Sequence, residues 1–215
     1  MKKSINFAKL SMIMFILAGA FVVAGVLLLV INGGNTFAPF TFANLSFSLV
    51  VKALVAAVLT FALVLVYLLI RFKKQGVKMA LISTLGASIN ALVAFALCIL
   101  GRANLCNMAL AVVLFAVALS YVTFIIFSYN FNKKTSRKKN AESQEDAFSV
   151  ATDKAWQVMK VVLILTTGVI LAGFVAAIIY SAGVLALYGI PAILTAVFSV
   201  LFTLSYTCKL FADKV

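Results

Sequence analysis

The sequence predicts an all-α, polytopic membrane protein of six transmembrane helices with both termini in the cytoplasm. Three observations predict it. Hydrophobic residues make up 65% of the chain and charged ones only 11%; the apolar residues fall into six long runs; and the basic residues gather on one side of those runs. Soluble domains are about half apolar and a quarter charged, so a mean hydropathy of +1.20 leaves more apolar material than a water-soluble core can hide. Lipid is the solvent that accommodates it.

The first uncharged run covers residues 10–31, which as a helix reaches about 33 Å at ~1.5 Å per residue and crosses a bilayer. The basic start Met1-Lys2-Lys3 and the small residues Ala18-Gly19-Ala20 imitate a signal peptide. Apolar residues continue through 21–31, beyond the roughly 7 to 15 of a signal core, so a retained first helix is expected. Residues 51–70, 79–100, 108–129 and 158–180 supply four further spans of sufficient length. The last stretch, 184–208, is interrupted by Gly189-Ile190-Pro191. Either Pro191 kinks a long helix over 184–208, or 181–190 form a loop and Pro191 opens a helix over 191–208, where its missing N–H costs nothing. The second reading is taken slightly ahead of the first.

Residues 131–157 read as a cytoplasmic linker, opening with a basic run from Lys133 to Lys139 and continuing with Glu142, Glu145 and Asp146. Phe148, Ala151, Ala155, Trp156 and Met159 follow at helical spacing. They predict an amphipathic segment lying at the membrane interface, with Trp156 as a headgroup anchor and Arg71, at the end of the second span, as a second one.

Basic residues orient the bundle. Lys2, Lys3 and Lys9 lie at the N-terminus; Arg71, Lys73, Lys74 and Lys78 in the second loop; Lys133, Lys134, Arg137, Lys138, Lys139, Lys154 and Lys160 in and beside the fourth; Lys209 and Lys214 at the C-terminus. Only Lys52 and Arg102 fall on the other side. Cytoplasmic loops collect Lys and Arg, which places both termini of a multi-pass membrane protein inside. The same lie of charge accounts for a net +13 by topology and anionic lipid, so no nucleic-acid partner is expected.

Three cysteines and no histidine leave little material for a metal site, and none is expected. Cys98 and Cys106 flank a short loop, where they either pair in an oxidising compartment or serve as small apolar residues. No Asp, Glu, Lys, Arg or His occupies the middle of a span. Proton relays inside membranes use ionisable side chains, so an autonomous proton-driven pump is disfavoured, whereas sodium binding by carbonyls and hydroxyls stays open. Neither a catalytic residue nor a cofactor is expected. Ser83, Ser88, Ser120, Ser199 and Ser205 have no neighbouring base and should each bond a carbonyl of their own helix.

Polar residues within the spans cluster as Ser83, Thr84, Ser88 and Asn90 in the third, and Ser120, Tyr121 and Thr123 in the fourth. Asn90, Ser120 and Thr123 are the candidate buried polar residues. The Asn90 amide reads as interhelical glue ahead of a substrate ligand, since a buried amide in lipid gains about 0.6 to 2 kcal/mol from a partner helix. In the fifth span Gly168, Ala172 and Ala176 recur every fourth residue beside Gly173 and Ala177. This is a candidate close-packing face, used within the bundle or against another subunit.

With these elements placed, the chain resembles the membrane portion of SecF, the partner of SecD in the bacterial accessory complex for protein export. The second span ends Val66-Tyr67-Leu68-Leu69-Ile70-Arg71-Phe72, similar to the tyrosine and Arg-Phe that close the corresponding SecF helix. In the fourth, Ser120-Tyr121-Val122-Thr123 through Phe127 resembles the family's run there, with Thr123 and Phe127 in register. The resemblance implies an accessory subunit of the Sec export complex with a SecD-like partner. The chain departs from the family in having only residues 32–50 where family members carry a folded extracytoplasmic domain. The family's charged positions would fall at Val122, Ser128, Tyr129 and near Ala87 and Ser88, so any ion coupling would be supplied elsewhere. Two alternatives accompany it. Ala20-x-x-x-Ala24 resembles the coupling motif of substrate-binding S components of energy-coupling-factor vitamin importers, and a membrane scaffold without ligand is the third reading.

Overall fold

The computed structural model describes residues 7–32, 47–101, 107–135, 142–179 and 183–213, and every one of these except Gly101 and Asp213 is helical. The order is α1 (Phe7–Asn32), α2 (Phe47–Phe72), a tight turn (Lys73–Gln75), α3 (Gly76–Leu100), α4 (Asn107–Thr135), α5 (Glu142–Ile179), α6 (Gly183–Phe202), a wide π-helical turn (Thr203–Thr207) and α7 (Cys208–Ala212). Six helical stretches among the described residues are long and apolar enough to cross a membrane, the last running from α6 through the π turn into α7.

The helices alternate in direction. One end of the bundle collects the start of α1, the end of α2, the start of α3, the end of α4, the start of α5 and α7. Phe7, Leu68, Met79, Phe131, Phe148 and Phe211 share one buried cluster there. Its centre is aromatic: Phe124, Phe127 and Phe131 of α4 meet Phe148 of α5 and Phe211 of α7 at ring centroids 5.6 to 6.5 Å apart, the range in which aromatic pairs attract. Lys9, Arg71, Lys78, Lys133 and Lys209 stand at this basic end, and Arg71 lies over the Tyr129 ring at 5.3 Å, a cation–π contact between α2 and α4.

Two segments differ from the sequence-based expectation. The linker over 131–157 is largely helix: α4 continues to Thr135 and α5 begins at Glu142. No Gly or Pro stands between 142 and 167 to break it, and acidic residues in its first turns suit a helix N-terminus. The amphipathic segment is therefore continuous with the fifth span. Phe148, Ala151, Ala155, Met159 and Leu163 are buried against the bundle, their three- and four-residue spacing forming one face. The second difference is at Pro191, which lies inside α6 rather than at its start. The loop expected over 181–190 is replaced by helix from Gly183. The proline ring meets Gly101 at the end of α3, where a Cβ would approach Pro191 Cγ to 2.7 Å, so packing offsets the backbone bond that Pro191 cannot make. The possible pairing of Cys98 with Cys106 falls on Cys106, outside the described residues; Cys98 itself is buried.

The α2–α3 hairpin is closed within three residues, with Lys73 in the left-handed region at φ 50°. The tightness of the reversal is visible at Gly76, where an added Cβ would stand 2.5 Å from Leu68 O and 2.7 Å from Leu68 C. Backbone atoms cannot yield as a side chain can. Gly76→Ala should lower stability by about 1 to 3 kcal/mol, read as an earlier thermal midpoint in detergent. Gly19→Ala, with open space around it, should not lower that midpoint, since alanine is the better helix former.

Candidate functional site

In the middle of the bundle α3, α4 and α6 converge on one side chain. Asn90 is fully buried near the centre of α3, and its amide nitrogen donates to Ser120 Oγ of α4, to Thr203 Oγ1 at the start of the π turn (3.1 Å) and to Ser199 O of α6 (3.3 Å). Thr203 Oγ1 also lies 3.4 Å from Ser120 Oγ. A single amide thus joins three helices, and Thr84 and Tyr121, 3.1 Å apart, add a second polar link between α3 and α4.

Why these residues meet follows from local packing. Gly86, one turn before Asn90 on α3, faces Thr207 so closely that a Cβ would collide with its side chain. The absence of a side chain at Gly86 lets the π turn approach α3. In that turn the Cys208 N–H bonds Thr203 O, five residues back rather than four, which widens the helix where Thr203 faces Asn90. Further along α3, Gly25 of α1 approaches Ala96, with a virtual Cβ 2.9 Å from the alanine methyl. Small residues at both contacts permit close backbone approach.

The remaining sequence-selected residues are distributed as follows. Thr123 is buried but bonds Leu119 O of its own helix at 2.6 Å, outside the Asn90 node. Ser83 bonds Ala80 O (3.0 Å) and Ser205 bonds Leu201 O (2.6 Å). The expectation of a backbone partner fails for three serines: Ser120 is engaged by Asn90, Ser199 Oγ is buried without a partner, and Ser88 makes no such bond. Ser88 is exposed on the outer face of α3. Trp156 is half-buried with its ring 6.1 Å from Phe7, and Arg71 stands over Tyr129. On α5, Gly168, Ala172, Gly173 and Ala176 are all exposed, and nothing lies within 4 Å of a Cβ placed at Gly168 or Gly173. The side chain of Ala177 lies outside the described set. This face points away from the bundle; α5 instead packs through Leu163 and the half-buried Thr166, Ile170 and Phe174, the last of which approaches Gly189 of α6.

Sequence reasoning did not single out Thr203, and it gave Ser199 an ordinary role. The available signal was the recurrence of Thr195, Ser199, Thr203 and Thr207 every fourth residue, one hydroxyl stripe on a largely apolar helix.

Comparison with known protein families, curated proteins and solved structures finds no match to this chain.

Removing the Asn90 amide strands a hydroxyl on each of two neighbouring helices. Asn90→Ala should cost about 1 to 2 kcal/mol, measured as a lowered midpoint of unfolding in detergent. Ser88→Ala on the exposed face of the same helix should cost nothing measurable.

Proposed function

We propose that the chain is a multi-pass protein of the bacterial cytoplasmic membrane, with both termini inside, acting as an accessory subunit of the protein-export complex in the manner of SecF. The observation that carries this reading is the open face of small residues on α5, where Gly168 and Gly173 leave room for another helix. Membrane helices associate through such faces because small residues bring backbones close and increase van der Waals contact. The bundle's own polar interior supports a dependent role, since its buried polar side chains are Asn, Ser and Thr, with no buried Asp, Glu, Lys or Arg among the described residues. A subunit of this kind contributes packing surface while a SecD-like partner supplies ion coupling. The lie of basic residues at one end supports the orientation, because arginines and lysines are retained on the cytoplasmic side.

A second reading, the S component of a vitamin importer, is favoured by one feature: Ala20 is exposed and Ala24 half-exposed on α1, leaving the Ala20-x-x-x-Ala24 motif accessible to another membrane subunit.

Mild detergent extraction of a tagged chain, followed by identification of what co-purifies, separates the two. The export reading expects Sec components, with recovery reduced by Gly168→Leu combined with Ala172→Leu. Recovery of transport ATPases with a retained small metabolite, and no Sec component, would replace it with the importer reading.

A further inference from the structure

Residues 47–135, which supply α2, α3 and α4, contain no Asp or Glu. The acidic residues of the chain are Glu142, Glu145, Asp146 and Asp153 on α5 and Asp213 after α7. A cation on α2, α3 or α4 therefore has no carboxylate on any of these three helices. Arg71 is the one that matters most. It occupies the last turn of α2, inside an apolar span that runs to Phe72, and it lies over the Tyr129 ring of α4. A cation–π contact engages the charge without supplying a hydrogen-bond acceptor. The guanidinium N–H groups thus have no acceptor among the described residues, and neither does Lys133, exposed one turn beyond Tyr129 on the same face of α4.

Below these cations the surface turns apolar. Both α2 and α4 arrive at the basic end by their C-terminal turns, so the preceding residues of each lie deeper in the bilayer. One and two turns back from Arg71 stand Tyr67 and Val64; one and two turns back from Tyr129 stand Ile125 and Val122. Tyr67 and Val122 are exposed, while Val64 and Ile125 are half-buried against the core. Unpaired donors at headgroup depth, above an apolar strip on two neighbouring helices, complement an amphiphile with an anionic head and hydrocarbon tails. A soluble anion would match the donors and leave the strip unmatched. A zwitterionic lipid brings its own ammonium group, which Arg71 and Lys133 repel.

We propose that Arg71, Tyr129 and Lys133 bind the headgroup phosphate of one anionic phospholipid, whose acyl chains lie along the strip between α2 and α4. The guanidinium can direct two parallel N–H groups at two phosphate oxygens, a geometry an ammonium lacks. Lys133 adds a second charge, and the Tyr129 hydroxyl a further donor. A lipid seated there ties α2 to α4 where packing does little, since Leu68 is the only buried hydrophobic residue on α2 among the described residues. Such a site holds one lipid at one place, whereas the general attraction of basic loops for an anionic leaflet is spread over all of them. The site does not rest on the export reading.

The test uses the purified full chain in detergent, titrated with phosphatidylglycerol, phosphatidylcholine or glycerol phosphate. Bound lipid is counted by native mass spectrometry, and the thermal midpoint is followed in parallel. The proposal expects saturable retention of one phosphatidylglycerol with a raised midpoint, as for a ligand that binds the folded state, and neither effect with the other two. Arg71→Ala should weaken retention about tenfold or more, the scale of hydrogen bonds to a charged group. Lys133→Ala, which leaves the contact of Arg71 with Tyr129 in place, should weaken it several-fold. Lys160→Ala, equally exposed on α5, should change nothing. Equal retention of the two lipids, equal protection by glycerol phosphate, or retention unchanged in both Arg71→Ala and Lys133→Ala would overturn the proposal. So would a loss in Lys160→Ala as large as in Arg71→Ala, which would assign the binding to charge spread over the whole basic end.

Discussion

A polar side chain buried in a lipid-solvated bundle must find its partners on neighbouring helices, because the hydrocarbon around it offers none. Asn90 is where that constraint acts. Its amide reaches α4 through Ser120 and α6 through Ser199 O and Thr203, so α3 cannot rotate or slide without separating a donor from its acceptors. Apolar packing between membrane helices is nearly indifferent to small rotations, since lipid tails resemble the side chains they replace. Directional bonds at one point give the bundle a register that its leucines and valines do not. Gly86 and the π turn are the local means by which α3 and α6 come near enough to use it.

Away from that node, the bundle is held at its basic end. The aromatic cluster of Phe124, Phe127, Phe131, Phe148 and Phe211 ties α4 to α5 and α7, and the hairpin at Gly76 ties α2 to α3. By contrast α2 and the second half of α5 are peripheral: Leu68 is the only buried hydrophobic residue on α2, and none is buried on α5 beyond Leu163 among the described residues. One protein thus contains a fixed centre, α3 with α4 and α6, and two outer helices with most of their surface turned outward. That division suits a component whose outer faces meet lipid or other subunits while its polar interior stays closed.

The spans were legible because long apolar runs have few other uses, and the alternation of basic and non-basic loops follows from the same runs. What was less legible depended on tertiary context. Residues 142–157 carry enough charge to read as a linker, yet their apolar positions 148, 151, 155 and 159 continue the helical face of the next span, so α5 is one helix. Pro191 signals a helix start from local chemistry alone, and only its contact with Gly101 explains its place inside α6. Asn90 stood out as a lone amide in an apolar run. Ser199 and Thr203 did not, because a helical hydroxyl is ordinarily satisfied by its own backbone, and nothing local reveals when it turns away.

Asn90 and Thr203 interact as a pair to join α3 to α6. A double-mutant cycle measures it: unfolding of Asn90→Ala, Thr203→Val and the combined variant in the same detergent, compared with the unsubstituted chain. A coupling of about 0.5 to 2 kcal/mol, with the second substitution costing less once the first is present, is expected. Strictly additive effects would contradict it, placing the register of the bundle in apolar packing alone.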